Sequence, residues 1–159
     1  MADVVSPEVR SRMMSGIRSK DTKPETILRS GLHRLGLRFR KNQKGLPGTP
    51  DLVFARFRAA VFAHGCFWHG HPCPLFKLPG TRTDFWRAKI DRNRANDEAA
   101  LAALRAAGWR VAIVWECALK GKAKTPPEEL CAALAEWIRG EAPFLEISGN
   151  EGSAKTVVV

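Results

Sequence analysis

Apolar residues along this chain fall into short stretches with two kinds of spacing. Between Thr22 and Gly36 they recur at helical intervals, at Ile27, Leu28, Leu32 and Leu35. Thr22 and Glu25 in front of them make a capping box, in which each side chain can bond the other's backbone N–H, and Gly36 marks the stop. Leu37 to Arg40 alternates apolar and basic, as a half-exposed strand does. Lys44 to Pro50 is loop by composition. Two apolar runs follow, Asp51 to Phe54 and Ala59 to His64, and the four residues between them are a hairpin-length connection. Gly65 to Gly80, dense in His, Cys, Pro and aromatics, reads as loop. Thr83 or Asp84 caps a long helix that reaches about Ala107 and stops at Gly108. Its buried side carries Trp86, Ile90, Leu101 and Leu104, and Arg87, Lys89, Arg92 and Arg94 cluster near its start. Trp109 to Trp115 is apolar except for Arg110, the pattern of a central strand. Thr125-Pro126-Pro127-Glu128 reads as a second capping box, opening a helix to Ile138 with Leu130, Leu134, Trp137 and Ile138 inward. Beyond Gly140 the pattern is weak.

The order helix, strand, strand, strand, long helix, strand, helix predicts an α/β fold, a mixed central sheet flanked by helices. With 159 residues, 45% of them hydrophobic, one domain with its own core is expected. The division expected is a basic arm over residues 1–20, the folded domain over 21–141 and a weakly structured tail over 142–159. No apolar run approaches the roughly 18 residues of a membrane span. The opening residues lack the apolar centre of a signal peptide, so no membrane partner and a cytoplasmic location are expected.

Charge sharpens this picture. The chain carries a formal charge of +10, unevenly spread. Residues 1–58 hold 13 Lys/Arg against 5 Asp/Glu, and residues 59–159 hold 13 against 11. The excess therefore sits in the first third, where Arg10, Arg12, Arg18 and Lys20 dominate the arm. A polyanion partner follows from phosphate neutralisation and counterion release. An anionic membrane fits less well, because the basic part shows no clear apolar face.

Three of the four histidines and two of the four cysteines fall in the ten residues from His64 to Cys73. Zinc takes four tetrahedral nitrogen or sulfur ligands, and structural sites use all four positions on protein. Cys66, His71 and Cys73 supply three from one loop. Cys117, just past a strand end, is the best fourth, whereas Cys131 lies inside the last helix and reads as a buried thiol. Disulfides are disfavoured in a cytosolic chain. An anchor of this kind suits a long loop without regular structure. His64 and His69 remain, and the residues alone leave them two roles: groups converging on one cleft as acid or base, or hydrogen-bonded loop residues. Asp51, which follows Pro50 and opens a strand, is either a turn residue or a carboxylate for Mg²⁺. Phe67 and Trp68, on a polar loop beside basic residues, can stack on or wedge between bases; Trp86 alone reads as core.

The segments Leu46-Pro47-Gly48-Thr49-Pro50-Asp51, Val61-Phe62-Ala63-His64-Gly65-Cys66-Phe67-Trp68-His69, Thr81 to Trp86, and Gly108 to Val111 continuing to Trp115-Glu116-Cys117-Ala118-Leu119 together resemble the very short patch repair (Vsr) endonucleases of bacteria. The resemblance runs from about Arg10 to about Glu141. It implies a monomeric, restriction-endonuclease-like fold and Mg²⁺-dependent nicking 5′ to the thymine of a T:G mismatch left by deamination of 5-methylcytosine. Residue by residue, it implies Asp51 and the backbone carbonyl of Ala63 on Mg²⁺, His69 as general base, His64 assisting at the phosphate and Glu25 supporting the ion's hydration shell. It implies structural Zn²⁺ on Cys66, His71, Cys73 and Cys117. Phe67, Trp68 and Trp86 are implied to insert beside the mismatch, and Arg10, Arg12, Arg18, Lys20 and Lys89 to lie along double-stranded DNA in the nucleoid. The mismatch-repair protein MutL is a partner by the same resemblance. Two departures stand out. Ala63 replaces a frequent Thr, which leaves a backbone ligand unaffected. Gly70 and Pro72 replace histidines, neither at an implied ligand position. The resemblance also accounts for an absence: a restriction-type site usually has an E-x-K after the Pro-Asp, and here histidines must replace lysine in activating water. A nuclease of the same fold with another DNA target, or a non-catalytic zinc-dependent DNA-binding module, are the competing readings.

Overall fold

A computed structural model of the protein describes residues 22–122 and 124–149. Helix α1 spans Lys23–Arg34, and its first turn is capped as its sequence requires, with the Thr22 hydroxyl accepting from Glu25 N–H at 3.4 Å. Gly36, at φ +88°, closes it: its N–H bonds the His33 carbonyl, and the N–H of Leu37 reaches back to the Leu32 carbonyl. This is a Schellman ending, and it consumes Leu37. Hence the strand expected from Leu37 shrinks to β1, Arg40–Lys41, with Leu37 buried under the helix end. β2 (Leu52–Phe54) and β3 (Ala59–His64) form the expected hairpin through a 3₁₀ turn at Ala55–Phe57.

Helix α2, Thr83–Ala106, begins differently from expectation. Arg82 takes the left-handed conformation and no side chain caps the first turn. The Thr83 hydroxyl instead donates to the Pro79 carbonyl at 2.8 Å, fastening the helix to the preceding loop. Gly108 ends α2 by the same Schellman arrangement, with Trp109 N–H on the Leu104 carbonyl. β4 is Arg110–Trp115, followed by a 3₁₀ turn at Glu116–Ala118. Helix α3, Pro127–Arg139, follows Pro126, and the second capping box does not form. The Thr125 N–H is committed to the Ala118 carbonyl at 2.7 Å, and the helix starts one residue too late for Glu128 to stand at the third position that the box needs.

The expected tail is corrected in its first part. Phe144–Ile147 is strand β5, parallel to β4, so the folded unit passes residue 141. Four residues interrupted by Glu146 give too short an apolar run to read as a strand. The sheet order is β1-β2-β3-β4-β5, antiparallel as far as β3 and parallel from β3 to β5.

Side chains alternate across this sheet, so one residue step changes the layer. Ala59, Val61, Ala112, Val114, Leu145 and Ile147 pack with Leu28 and Leu32 of α1 and Leu130, Leu134 and Ile138 of α3. Ala60, Phe62, Val111 and Phe144 pack with Leu104 of α2 on the other face. The result is a three-layer α/β/α fold, a mixed five-stranded sheet flanked by helices as expected. His64 ends β3 directly beside Trp115 at the end of β4. The long loop between β3 and α2 therefore leaves from the end of the parallel part of the sheet, the usual address of functional groups in such sheets.

Candidate active site and metal centre

A cleft of about 1150 Å³ opens at this end, lined by Glu25, Asp51 and Ala63 together with His64, His69, Lys89, Asn93 and Asp97, and by Asn42 and Lys44. The hairpin register brings Asp51 to the end of β3, where Ala63 N–H donates to Asp51 Oδ2 at 2.7 Å. Glu25 arrives from the first turn of α1 and is buried. Arg29 Nη2, one turn further, donates to Glu25 Oε2 at 2.8 Å. The Asp51 carboxyl is raised to about 7, first by burial and then by the charge and hydrogen bond of Glu25, against the lowering effect of Ala63 N–H and Arg29. A hydrogen bond between two carboxyls needs a proton on one of them. Two oxygen ligand groups, one buried and one half-buried, held together in this way suit a hard divalent cation in place of that proton.

In the same cleft the imidazoles of His64 and His69 stack, with centroids 3.9 Å apart and planes within 7°. His64 is buried, and burial together with the neighbouring His69 lowers it to about 3, so it is neutral at any ordinary pH. His69 is held from outside the loop, its Nδ1 lying 2.5 Å from Oδ2 of Asp97 on α2. Asp97 is a site residue that the sequence reading passed over. The signal for it is present in α2. Trp86, Ile90, Asn93, Asp97, Ala100 and Leu104 fall at helical spacing on one face, of which Trp86, Ile90, Ala100 and Leu104 are buried and apolar. Asn93 and Asp97 are the two polar residues in that stripe. Asn93 Nδ2 donates to the Trp68 carbonyl at 2.8 Å, so both polar positions serve the loop.

Behind the histidines, Cys66, His71, Cys73 and Cys117 bring three thiols and one imidazole nitrogen within 4.8 Å of one another. Cys66 lies two residues beyond β3 and Cys117 two beyond β4, so the paired strand ends deliver both from adjacent positions. The Gly149 N–H donates to Cys117 Sγ at 3.2 Å, and the Cys66 N–H to Glu116 Oε1 at 3.3 Å. Burial pushes the Cys66 and Cys117 thiols up and His71 down. Crowded thiols of this sort are stabilised as thiolates by a cation, and ligand atoms at this spacing fit one four-coordinate ion. The His71 ring stacks on Trp115 at 4.3 Å, and the Trp115 Nε1–H donates to Glu146 Oε2. Cys131 stands apart as a buried thiol between α3 and Gly31 of α1.

The departure at Gly70 has a local reason. Its φ is +62°, and an added Cβ would lie 2.7 Å from Ile90 Cγ2, so the bare backbone lets the loop close on α2.

The aromatics gather at the mouth of the cleft. Phe67 packs edge-on to Trp68 and Trp86 at 5.1 and 5.6 Å, with Trp86 buried beneath them. Lys89 Nζ lies over Trp68 and Trp86 at 5.5 and 6.0 Å. Phe85, also passed over in the sequence, is exposed beside Trp86 and carries Arg82 over its ring at 4.3 Å. The structure thus brings together Glu25, Asp51, Ala63, His64 and His69 in one cleft, sets the four zinc candidates behind it, and puts Phe67, Trp68, Trp86 and Lys89 at its edge. The arm residues Arg10, Arg12, Arg18 and Lys20 lie outside the described residues. Among the described residues no helix is long and apolar enough to cross a membrane.

Known proteins bear on this arrangement. Residues 2–75 match the family model described as DNA mismatch endonuclease Vsr. The chain is 48% identical over 147 residues to the DNA mismatch endonuclease Vsr of Escherichia coli, covering 92% of this chain and 94% of that one. It is 55% identical over 119 residues to the type II nicking enzyme V.XorIIP of Xanthomonas oryzae pv. oryzae, covering 75% and 88%. It is 44% identical over 123 residues to the type II nicking enzyme V.NmeAIP of Neisseria meningitidis, covering 77% and 88%. A cleft of paired carboxylates and histidines, on a chain of this likeness, belongs to an endonuclease, and the chain is a member of the Vsr family of DNA mismatch endonucleases.

Proposed function

We propose that the protein nicks one strand of duplex DNA 5′ to the thymine of a T:G mismatch arising from deamination of 5-methylcytosine, with Mg²⁺ in the cleft and Zn²⁺ in the cysteine cluster. The observation that carries the reading is the gathering of two sets in one cleft, the Glu25–Asp51 carboxyl pair and the His64–His69–Asp97 set. Asp51 and the Ala63 carbonyl hold Mg²⁺, and Glu25 supports its hydration shell. When bound, the ion supplies charge stabilisation at the phosphoryl oxygens and lowers the cost of deprotonating water. His69, with Nδ1 engaged by Asp97, keeps Nε2 for taking the proton of the attacking water. His64, neutral and buried, offers an N–H to the phosphate. Phe67 and Trp68, backed by Trp86, enter beside the mismatch, while Lys89 and the basic arm with Arg10, Arg12, Arg18 and Lys20 follow the phosphates. The zinc cluster fixes the loop that carries the histidines and aromatics. The fold is of the restriction-endonuclease kind, the protein works as a monomer in the cytoplasm at the nucleoid, and MutL is its partner by family.

The test is one gel comparing T:G and T:A duplexes with and without Mg²⁺. Nicking of the T:G strand alone, dependent on Mg²⁺ and lost in Asp51→Ala with duplex binding retained, is the expected result. Cleavage of the paired duplex would assign another DNA target, and no nicking under any condition would make the protein a binding module.

A further inference from the structure

From Thr26 to Pro50 the chain holds six Lys/Arg and no Asp or Glu. A solvated face ordinarily mixes both signs, so an acid-free run of this length points to an anionic neighbour. The fold gathers part of it into one place. Arg29, Ser30, His33, Arg34, Phe39 and Lys41 line a groove of about 500 Å³ between α1 and β1, with no carboxylate among its walls within the described residues. His33, Arg34 and Lys41 are exposed. Arg29 joins this groove to the cleft, because its Nη2 donates to Glu25 Oε2 at 2.8 Å and to Asn42 Oδ1 at 3.4 Å, and both acceptors belong to residues that line the cleft. Lys44, two residues past Asn42, continues the positive rim to the cleft itself.

We infer that the α1–β1 groove is a phosphate track that holds the sugar–phosphate backbone of the duplex flanking the cut, through Arg34 and Lys41 with His33 beside them. This rests on the reading that the cleft cuts duplex DNA, and it extends the contact surface beyond the aromatic mouth to the opposite side of the Glu25–Asp51 pair. Exposed arginine and lysine contacts of this kind position a duplex without reading its bases. They therefore act alike on matched and mismatched DNA.

The test uses the full-length protein and the double variant Arg34→Ala/Lys41→Ala. The control is Arg56→Ala/Arg105→Ala, which removes equal charge where Arg58 ties the β2–β3 turn to the end of α2, at the other end of the sheet. Binding of T:G and T:A duplexes is measured by anisotropy without Mg²⁺ between about 50 and 200 mM salt, with melting temperatures as a folding check. Each phosphate contact contributes about 0.9 to the slope of log K against log salt, so the slope should fall by roughly 2 in the first variant and stay unchanged in the control. Affinity should drop by about tenfold or more on both duplexes, and in nicking assays the loss should fall on KM rather than kcat. A slope equal to wild type, or an equal fall in the control, overturns the track. If the wild type binds duplex and the slope falls as expected but no T:G nicking occurs, the track stands and the mismatch reading fails. A wild type that does not bind duplex at all overturns both.

Discussion

His69 Nδ1 and Asp97 Oδ2 stand 2.5 Å apart, joining a histidine of the loop after β3 to a carboxylate four turns into α2. The carboxylate accepts from Nδ1–H and thereby leaves Nε2 as the proton acceptor. Asp97→Asn keeps the shape and removes the fixed tautomer. It is expected to lower kcat by roughly 10²–10⁴-fold, the scale of a misaligned general base, with duplex binding nearly unchanged. Single-turnover nicking measures this, and a full rate in the variant would remove His69 from the base role.

Asp51 makes the Mg²⁺-free protein sensitive to pH. In the unfolded chain its carboxyl ionises near 3.8, and in the folded one near 7. Its contribution to stability is fully present below about 3.8, because both states are then protonated, and it is lost as pH rises through 7. Without Mg²⁺, the melting temperature should fall between about pH 4 and pH 7. Asp51→Asn should flatten that fall, and Mg²⁺ should restore stability to the wild type at the upper end. An identical pH profile in Asp51→Asn would contradict the burial and carboxyl pairing as its source.

Stripping the ion from the cysteine cluster should cost stability before it costs chemistry. Structural zinc contributes roughly 10–16 kcal/mol of apparent binding energy in small zinc domains, so a strong chelator should lower the melting temperature by about 10 °C or more. Elemental analysis should give one zinc per chain, absent in Cys117→Ser and retained in Cys131→Ser. A chelated protein with an unchanged melting temperature would rule out a structural ion here.

Trp68 is half-buried at the cleft mouth, packed on Phe67 and Trp86 under Lys89. Trp68→Ala should weaken T:G binding by about 1–3 kcal/mol, the scale of one base–aromatic contact, and weaken T:A binding less. Competition binding without Mg²⁺ reads the ratio. Equal losses on both duplexes would make the ring a support for the loop instead of a wedge.

Much of the fold is legible in periodicity because each side chain has one layer to go to. The α1 cap, both glycine stops, the hairpin and the β4 run all follow from local rules, as does the separation of Cys131 from the cluster. What failed depended on partners distant in sequence. β5 is too short to announce itself and exists because β4 offers it an edge. Arg110 reads as an interruption of an apolar strand. In the fold its guanidinium donates to the carbonyls of Trp137, Ile138, Ala142 and Phe57 and fastens the end of α3 to the sheet. The site divides the same way. Asp51, the histidines and the metal cluster are dense in sequence and stand out. Asp97 and Arg29 are single charges on helices, and only the packing of α2 and α1 gives them their partners.

Neighbouring residues Trp68 and His69 are moored to successive turns of a single helix, by Asn93 and by Asp97. The two moorings make a short lever. Under the proposed reading, a base pressed against the indole loads the same stretch of helix that aims the imidazole, so a duplex that seats the ring badly also swings the imidazole off line. Reading and cutting are then not separately adjustable, and a mutation that loosens one mooring should blur both discrimination and rate.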